Sequence, residues 1–168
     1  MDIEHNELLS GQNSEEPISA ATPAADDAPE ACLRLLRRII RSIEDDGVEG
    51  GFNHAAESLF RELLVNYGDD AVRCLSNAFS SPDTPRWVRP DLLRLLGRQE
   101  AKNVPSDWFS EVVRRALCSD EIQLRDAAVQ AVELLQFDDA LTILAEHKES
   151  SPWLADHMAR VVRDLRGE

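Results

Sequence analysis

The chain has 168 residues, long enough for one folded unit with a real core and a tail, and short for two full domains. Its 32 acids against 18 bases give a net charge of -14, so no basic surface dominates to release counterions from nucleic acid, and a basic protein is the better-matched partner. An acidic surface kept only for solubility accounts for the same balance.

Residues 1–29 contain three prolines, many Ser, Ala and Thr, and no Lys or Arg, which predicts a disordered acidic tail. Residues 1–30 carry eight acids, leaving the rest of the chain mildly acidic. Leu8 and Leu9 after Glu7 form one short apolar spot, read as solvated tail or as a docking motif.

From Glu30 to Glu44 the spacing predicts an amphipathic helix. Cys32, Leu35, Leu36, Ile39, Ile40 and Ile43 fall on one side, and Arg34, Arg37, Arg38 and Arg41 on the other. The arginine stripe is expected to pair with the protein's own surplus carboxylates, the alternative being phosphate or an acidic partner. Glycines in "EDDGVEGGFN" then break the helix, and the acids there do not make a calcium loop, because the third and twelfth positions fall on Gly47 and Ala56.

Asn53 is the candidate cap of the next helix, which carries Ala55, Ala56, Leu59, Phe60, Leu63 and Leu64 on one face and ends at Gly68. Asp69 starts another, to about Phe79. Thr84 and Pro85 restart the chain, with a kink or a fresh start expected at Pro90. Further helices are predicted from Ser106 to near Ser119, then over about 120–136, 138–148 and 152–165, the last begun by Ser151-Pro152. The short connections make sequential helices antiparallel neighbours, about seven or eight in all.

Sliding the sequence on itself shows a weak repeat. Leu124, Ala128, Ala131, Val132 and Leu135 superpose, 30 residues on, with Leu154, Met158, Val161, Val162 and Leu165. Shifted back by 36, Leu124, Arg125, Ala128, Ala131 and Val132 fall on Val88, Arg89, Leu92, Leu95 and Leu96. "SDEIQLRDAAVQAVELLQFDDAL" resembles a HEAT-like repeat: an Asp-containing start, a Leu-Arg pair, an Ala-rich first helix and a second helix opening Asp-Ala-Leu. "SPDTPRWVRPDLLRLLG" is a weaker copy. The likeness spans roughly 81–165, with 53–79 as a diverged pair.

The resemblance implies an all-α fold, a short right-handed α-solenoid of antiparallel helix pairs over 30–168, in which neighbouring pairs share one core. Ala127, Ala128 and Ala131 would let helices approach closely, with Leu134, Leu135, Leu141 and Leu144 filling the space between. Arg125 would pair with an acid of its own or the adjacent unit.

No reaction chemistry is written in the motifs. His5, His54, His147 and His157 have no metal spacing, and there is no nucleophile elbow, P-loop or dinucleotide fingerprint. Asp69-Asp70 and Asp138-Asp139 suit helix starts. Cys32, Cys74 and Cys118 are widely spaced among apolar helical residues, which predicts buried free thiols in a reducing compartment rather than a disulfide framework. With no secretory pattern and no long apolar run, the expectation is a cytoplasmic protein without membrane contact, enzyme activity, cofactor or metal.

A repeat stack presents its second helices as an extended binding surface. The outward residues there are the candidate contacts: Asp70, Arg73 and Asn77; Asp107, Ser110, Glu111 and Arg114; and Asp139, Thr142 and Glu146. Trp87, Trp108 and Trp153 are expected to pack under connecting loops, the alternative being interface anchors. The expected function is a protein-binding module, most concretely an acidic immunity- or antitoxin-type protein that occludes a basic toxin. The alternative is a structural adaptor or assembly factor using the tail and the arginine stripe.

Overall fold

A computed structural model describes residues 27–49 and 52–167. The tail expected over 1–29 falls outside them up to residue 26. The described residues form seven α-helices and no strand: α1 (Ala28–Asp45), α2 (Ala56–Ser80), α3 (Val88–Gly97), α4 (Ser106–Leu117), α5 (Ile122–Leu135), α6 (Asp138–Glu146) and α7 (Pro152–Arg166), with a 3₁₀ turn at Ala101–Asn103. The fold is all-α.

Local chemistry explains most of the boundaries. Pro29 lies in the first turn of α1 and Pro152 in that of α7, where a missing N–H costs no helical hydrogen bond. Gly68 bends α2 with φ +46° and ψ -114°, so the two helices predicted on either side of it run on as one kinked element. The cap of α2 is not Asn53. His54 Nδ1 accepts the Ala56 N–H (3.0 Å), the Glu57 carboxylate accepts the His54 N–H (3.1 Å), and His54 Nε2 donates to the Asp46 carbonyl. A ring one residue further on reaches the Ala56 N–H and the end of α1 together.

Pro90 makes no kink, because α3 starts at Val88 and places it in the first turn. Thr84 and Pro85 belong instead to preceding turns, with Thr84 N–H on the Ser81 carbonyl and Val88 N–H on the Pro85 carbonyl.

The core runs through all seven helices, with Ile39, Phe60, Leu75, Leu92, Phe109, Val132, Leu144 and Leu154 among its fully buried side chains. α1 packs on α2 and α3. Beyond them α3 packs on α5 and α5 on α7, while α4 packs on α6. The equivalent apolar repeat positions Val88, Leu124 and Leu154; Leu92, Ala128 and Met158; and Leu95, Ala131 and Val161 are all buried, whereas Val162 and Leu165 at the end of α7 are half-buried. Gly97 and Ala131 mark the closest approach, since a Cβ on Gly97 would lie 2.7 Å from the Ala131 Cα.

Leu134 does not fill an interhelical space. It is 57% exposed, because Leu135 takes the inward position and adjacent residues on a helix point to different sides. Trp87 and Trp153 are likewise exposed rather than tucked under loops, each preceding the residue, Val88 or Leu154, that faces the core. Trp108 is the one of the three that packs, half-buried between α4 and α2.

Candidate partner-binding surface

The expected contact residues sit on α2, α4 and α6. These helices are joined in a row, because Trp108 Nε1–H on α4 donates to Ser76 Oγ on α2 (2.8 Å) and α4 packs on α6. Arg73, Asn77, Asp107, Arg114, Asp139, Thr142 and Glu146 are exposed; Asp70 and Glu111 are half-buried. Ser110 is a correction: it is buried, three and seven residues before the buried Val113 and Leu117 and therefore on their side of the helix, and its hydroxyl has no hydrogen-bond partner.

Several of these residues are engaged with one another. Arg73 pairs with Asp70, and Glu111 holds both Arg114 and Arg115 at 2.7 Å, contacts that keep its carboxyl below the usual range, Arg115 contributing most. Thr142 Oγ donates to the Asp138 carbonyl of its own helix (3.0 Å). Exposed pairs of this kind neutralise the α2 and α4 segments without adding much stability.

Between α2, α3, α4 and the start of α5 lies a groove of about 390 Å³, lined by Phe79, Trp108, Val112 and Leu124 with Arg89 and Arg115 among its polar groups. Arg89 Nη2 donates to the Ser81 carbonyl (2.7 Å), while its buried Nε has no partner.

Arg125 does the same for the next connection and then more. Its Nη1 donates to the Ser119 carbonyl (2.9 Å), and its Nε and Nη2 donate to the two oxygens of Glu149 at 2.8 and 3.1 Å. Glu149 is the acid expected for Arg125. The guanidinium, with help from the Ser151 N–H, holds the Glu149 carboxyl down to about 2. Both side chains are nearly buried, so Arg125 is a tie between the end of α4, α5 and the α6–α7 connection, with no free donor fork for a partner.

The engagement of Arg125 exposes a feature that the sequence reading missed. From Asp126 to His147 there is no Lys or Arg and there are five acids. Of these, Glu133, Asp138, Asp139 and Glu146 are exposed, and the first three flank the exposed Leu134 at the α5–α6 corner. Gln136, at φ +56°, makes the tight turn that sets the end of α5 against the start of α6. The signal was available as a run free of bases; the amphipathic template hid it by assigning Leu134 to the core.

On α1, Arg34 pairs with Glu30 (2.9 Å), but among the described residues Arg37, Arg38 and Arg41 have no carboxylate within 4.0 Å. The expectation that the stripe is paired by the protein's own acids therefore holds within the described residues for Arg34 alone.

Among the described residues there is no cluster of His, Cys, Asp and Glu that would hold a metal ion, and no helix long and apolar enough to cross a membrane. Comparison with protein-family models, with curated proteins and with solved structures finds no match to this chain.

Proposed function

We propose that this chain is a protein-binding module, built as a short HEAT-like right-handed α-solenoid of antiparallel helix pairs, that binds a basic partner through its α5–α6 corner. The rows α3, α5, α7 and α4, α6 support the stacked arrangement. So does the shared task of Arg89 and Arg125, each holding a serine carbonyl just before its own helix.

The corner carries the functional reading. It places an exposed leucine among Glu133, Asp138 and Asp139 with no base nearby in sequence, a small apolar contact rimmed by one sign of charge. An immunity- or antitoxin-type protein, covering a basic toxin's active site, is the most concrete form of such a module. It needs no catalytic group, cofactor or metal.

Co-expression with the products of neighbouring genes tests this. A partner is expected to bind most tightly at low salt, to lose binding to Glu133→Lys/Asp139→Lys with helicity unchanged, and, if an enzyme, to be inhibited at one-to-one ratio. A partner that binds the reversed corner as well as the native one would refute it. Arg37, Arg38 and Arg41 of α1, which have no carboxylate partner among the described residues, favour a second reading, an adaptor that engages another component through that helix.

A further inference from the structure

The arginine face of α1 stands at one end of the helix order with its inner side committed. Cys32, Leu35, Leu36, Ile39 and Ile43 are buried against the rest of the fold, while Leu33, Arg34, Arg37, Arg38 and Arg41 are exposed. Leu33 is 40% exposed and lies one turn before Arg37, so the face is an apolar spot beside four guanidiniums. Three of them lack a carboxylate among the described residues.

We propose that residues 1–26 of the same chain dock on this face. Three observations select that occupant. The segment has six acids and no Lys or Arg, the complement of the stripe. It offers apolar residues next to acids, Ile3 beside Glu4 and Leu8-Leu9 after Glu7, to meet Leu33 among its arginines. It also joins α1 directly, at Asp27. Ala28 to Arg41 spans about 20 Å at 1.5 Å per residue, whereas 26 residues extend up to about 85 Å, so the segment can double back over the whole stripe.

Covalent attachment places the acids at a millimolar-range local concentration, enough to populate contacts that are weak one by one. A competing polyanion must displace this segment first.

The test is paramagnetic broadening in the full chain. A nitroxide is attached through Ser10→Cys in a Cys118→Ser background, Cys32 and Cys74 being buried. Raising salt from about 0.01 M to about 1 M shortens the screening length from about 30 Å to about 3 Å. The expected result is loss of the Arg34, Arg37 and Arg41 amide signals at low salt, their recovery at high salt, and no broadening in Arg37→Gln/Arg38→Gln/Arg41→Gln. Unbroadened α1 signals at low salt, broadening centred on the α2–α4 groove, or broadening that survives the triple substitution would each overturn the proposal. Mixing spin-labelled chain with isotope-labelled, unspun chain separates the sources: broadening between chains at low concentration would assign the face to a second copy and overturn docking within one.

Discussion

Replacing Glu149 by Gln tests the tie between the α4–α5 and α6–α7 connections. The carboxylate accepts from Arg125 Nε and Nη2 and from the Ser151 N–H, and it is 2% exposed beside a guanidinium 12% exposed. A carboxyl near 4.5 in the unfolded chain and about 2 in the fold corresponds to about 3 kcal/mol of stability at neutral pH. Breaking a buried pair by removing one partner costs about 3–5 kcal/mol, so the two routes agree on a loss near the lower end of that range for Glu149→Gln, which keeps the shape and one acceptor.

Because the folded value is depressed, the contribution is complete above the unfolded value and fades as pH falls from about 4.5 to about 2. Urea unfolding followed by circular dichroism, at steps from pH 7 to 2.5, should show the native and variant free energies separated by about 3 kcal/mol at pH 7 and converging in that acid window. A separation under about 0.5 kcal/mol at pH 7, or one that stays constant to pH 2.5, would refute the reasoning. In a double-mutant cycle with Arg125→Met, the doubly substituted chain should lose less than the two single losses combined, since neither charge is then left buried alone.

Gly97→Ala should destabilise by about 1–3 kcal/mol in urea, against the usual sign for such a change in a helix, because the new methyl would lie 2.7 and 2.9 Å from the Ala131 Cα and Cβ. His54→Ala should cost about 1–2 kcal/mol and speed hydrogen exchange at the Ala56 amide; unchanged exchange there would remove the ring from the cap. Cys118, expected to be buried with the other two thiols, is exposed just past the end of α4, so it alone should react with an aqueous thiol reagent in the native state; Cys32 and Cys74 are buried, and burial and the neighbouring Cys74 push the Cys32 thiol well above its ordinary value. Mass spectrometry of Cys118→Ser should then find no modified residue before unfolding.

The helices were legible where one property decides them. The period of Cys32, Leu35, Leu36, Ile39, Ile40 and Ile43 set the inner side of α1, and all are buried but Ile40, which is half-buried. Proline in the first turn marked α7, and Gly68 marked the bend in α2. Ser110 reads as outward by its polarity although its spacing to Val113 and Leu117 puts it on their buried side, and Leu134 reads as core although the repeat register names only Leu135. What stayed hidden depends on contacts across the chain. Arg98 shows the limit: it holds Glu57 at 2.7 Å and the Phe52 carbonyl at 2.8 Å, more than forty residues away, and so pins the α1–α2 connection onto α3. Periodicity identifies faces of a helix, and long side chains then choose partners that periodicity does not see.

The charge distribution bears on the choice between an acidic coat for solubility and a surface for recognition. A coat would spread its acids. Here residues 81–118 have seven bases and five acids, whereas 126–147 have five acids and no base. The nearby arginines leave the corner acids alone: Arg125 is spent on Glu149, and Arg94 on Asp91 at 2.7 Å and on Asp126, the half-buried first acid of the stretch, at 3.5 Å. Among the described residues Asp138 and Asp139 have no Lys or Arg within 4.0 Å and Glu133 meets only His157 at 3.8 Å; on the proposed reading their field would steer a basic surface toward Leu134. At the other end the arginines of α1 are next in sequence to the most acidic segment. Opposite charges concentrated at separate places, rather than mixed, are what two distinct docking events require and what solubility alone does not.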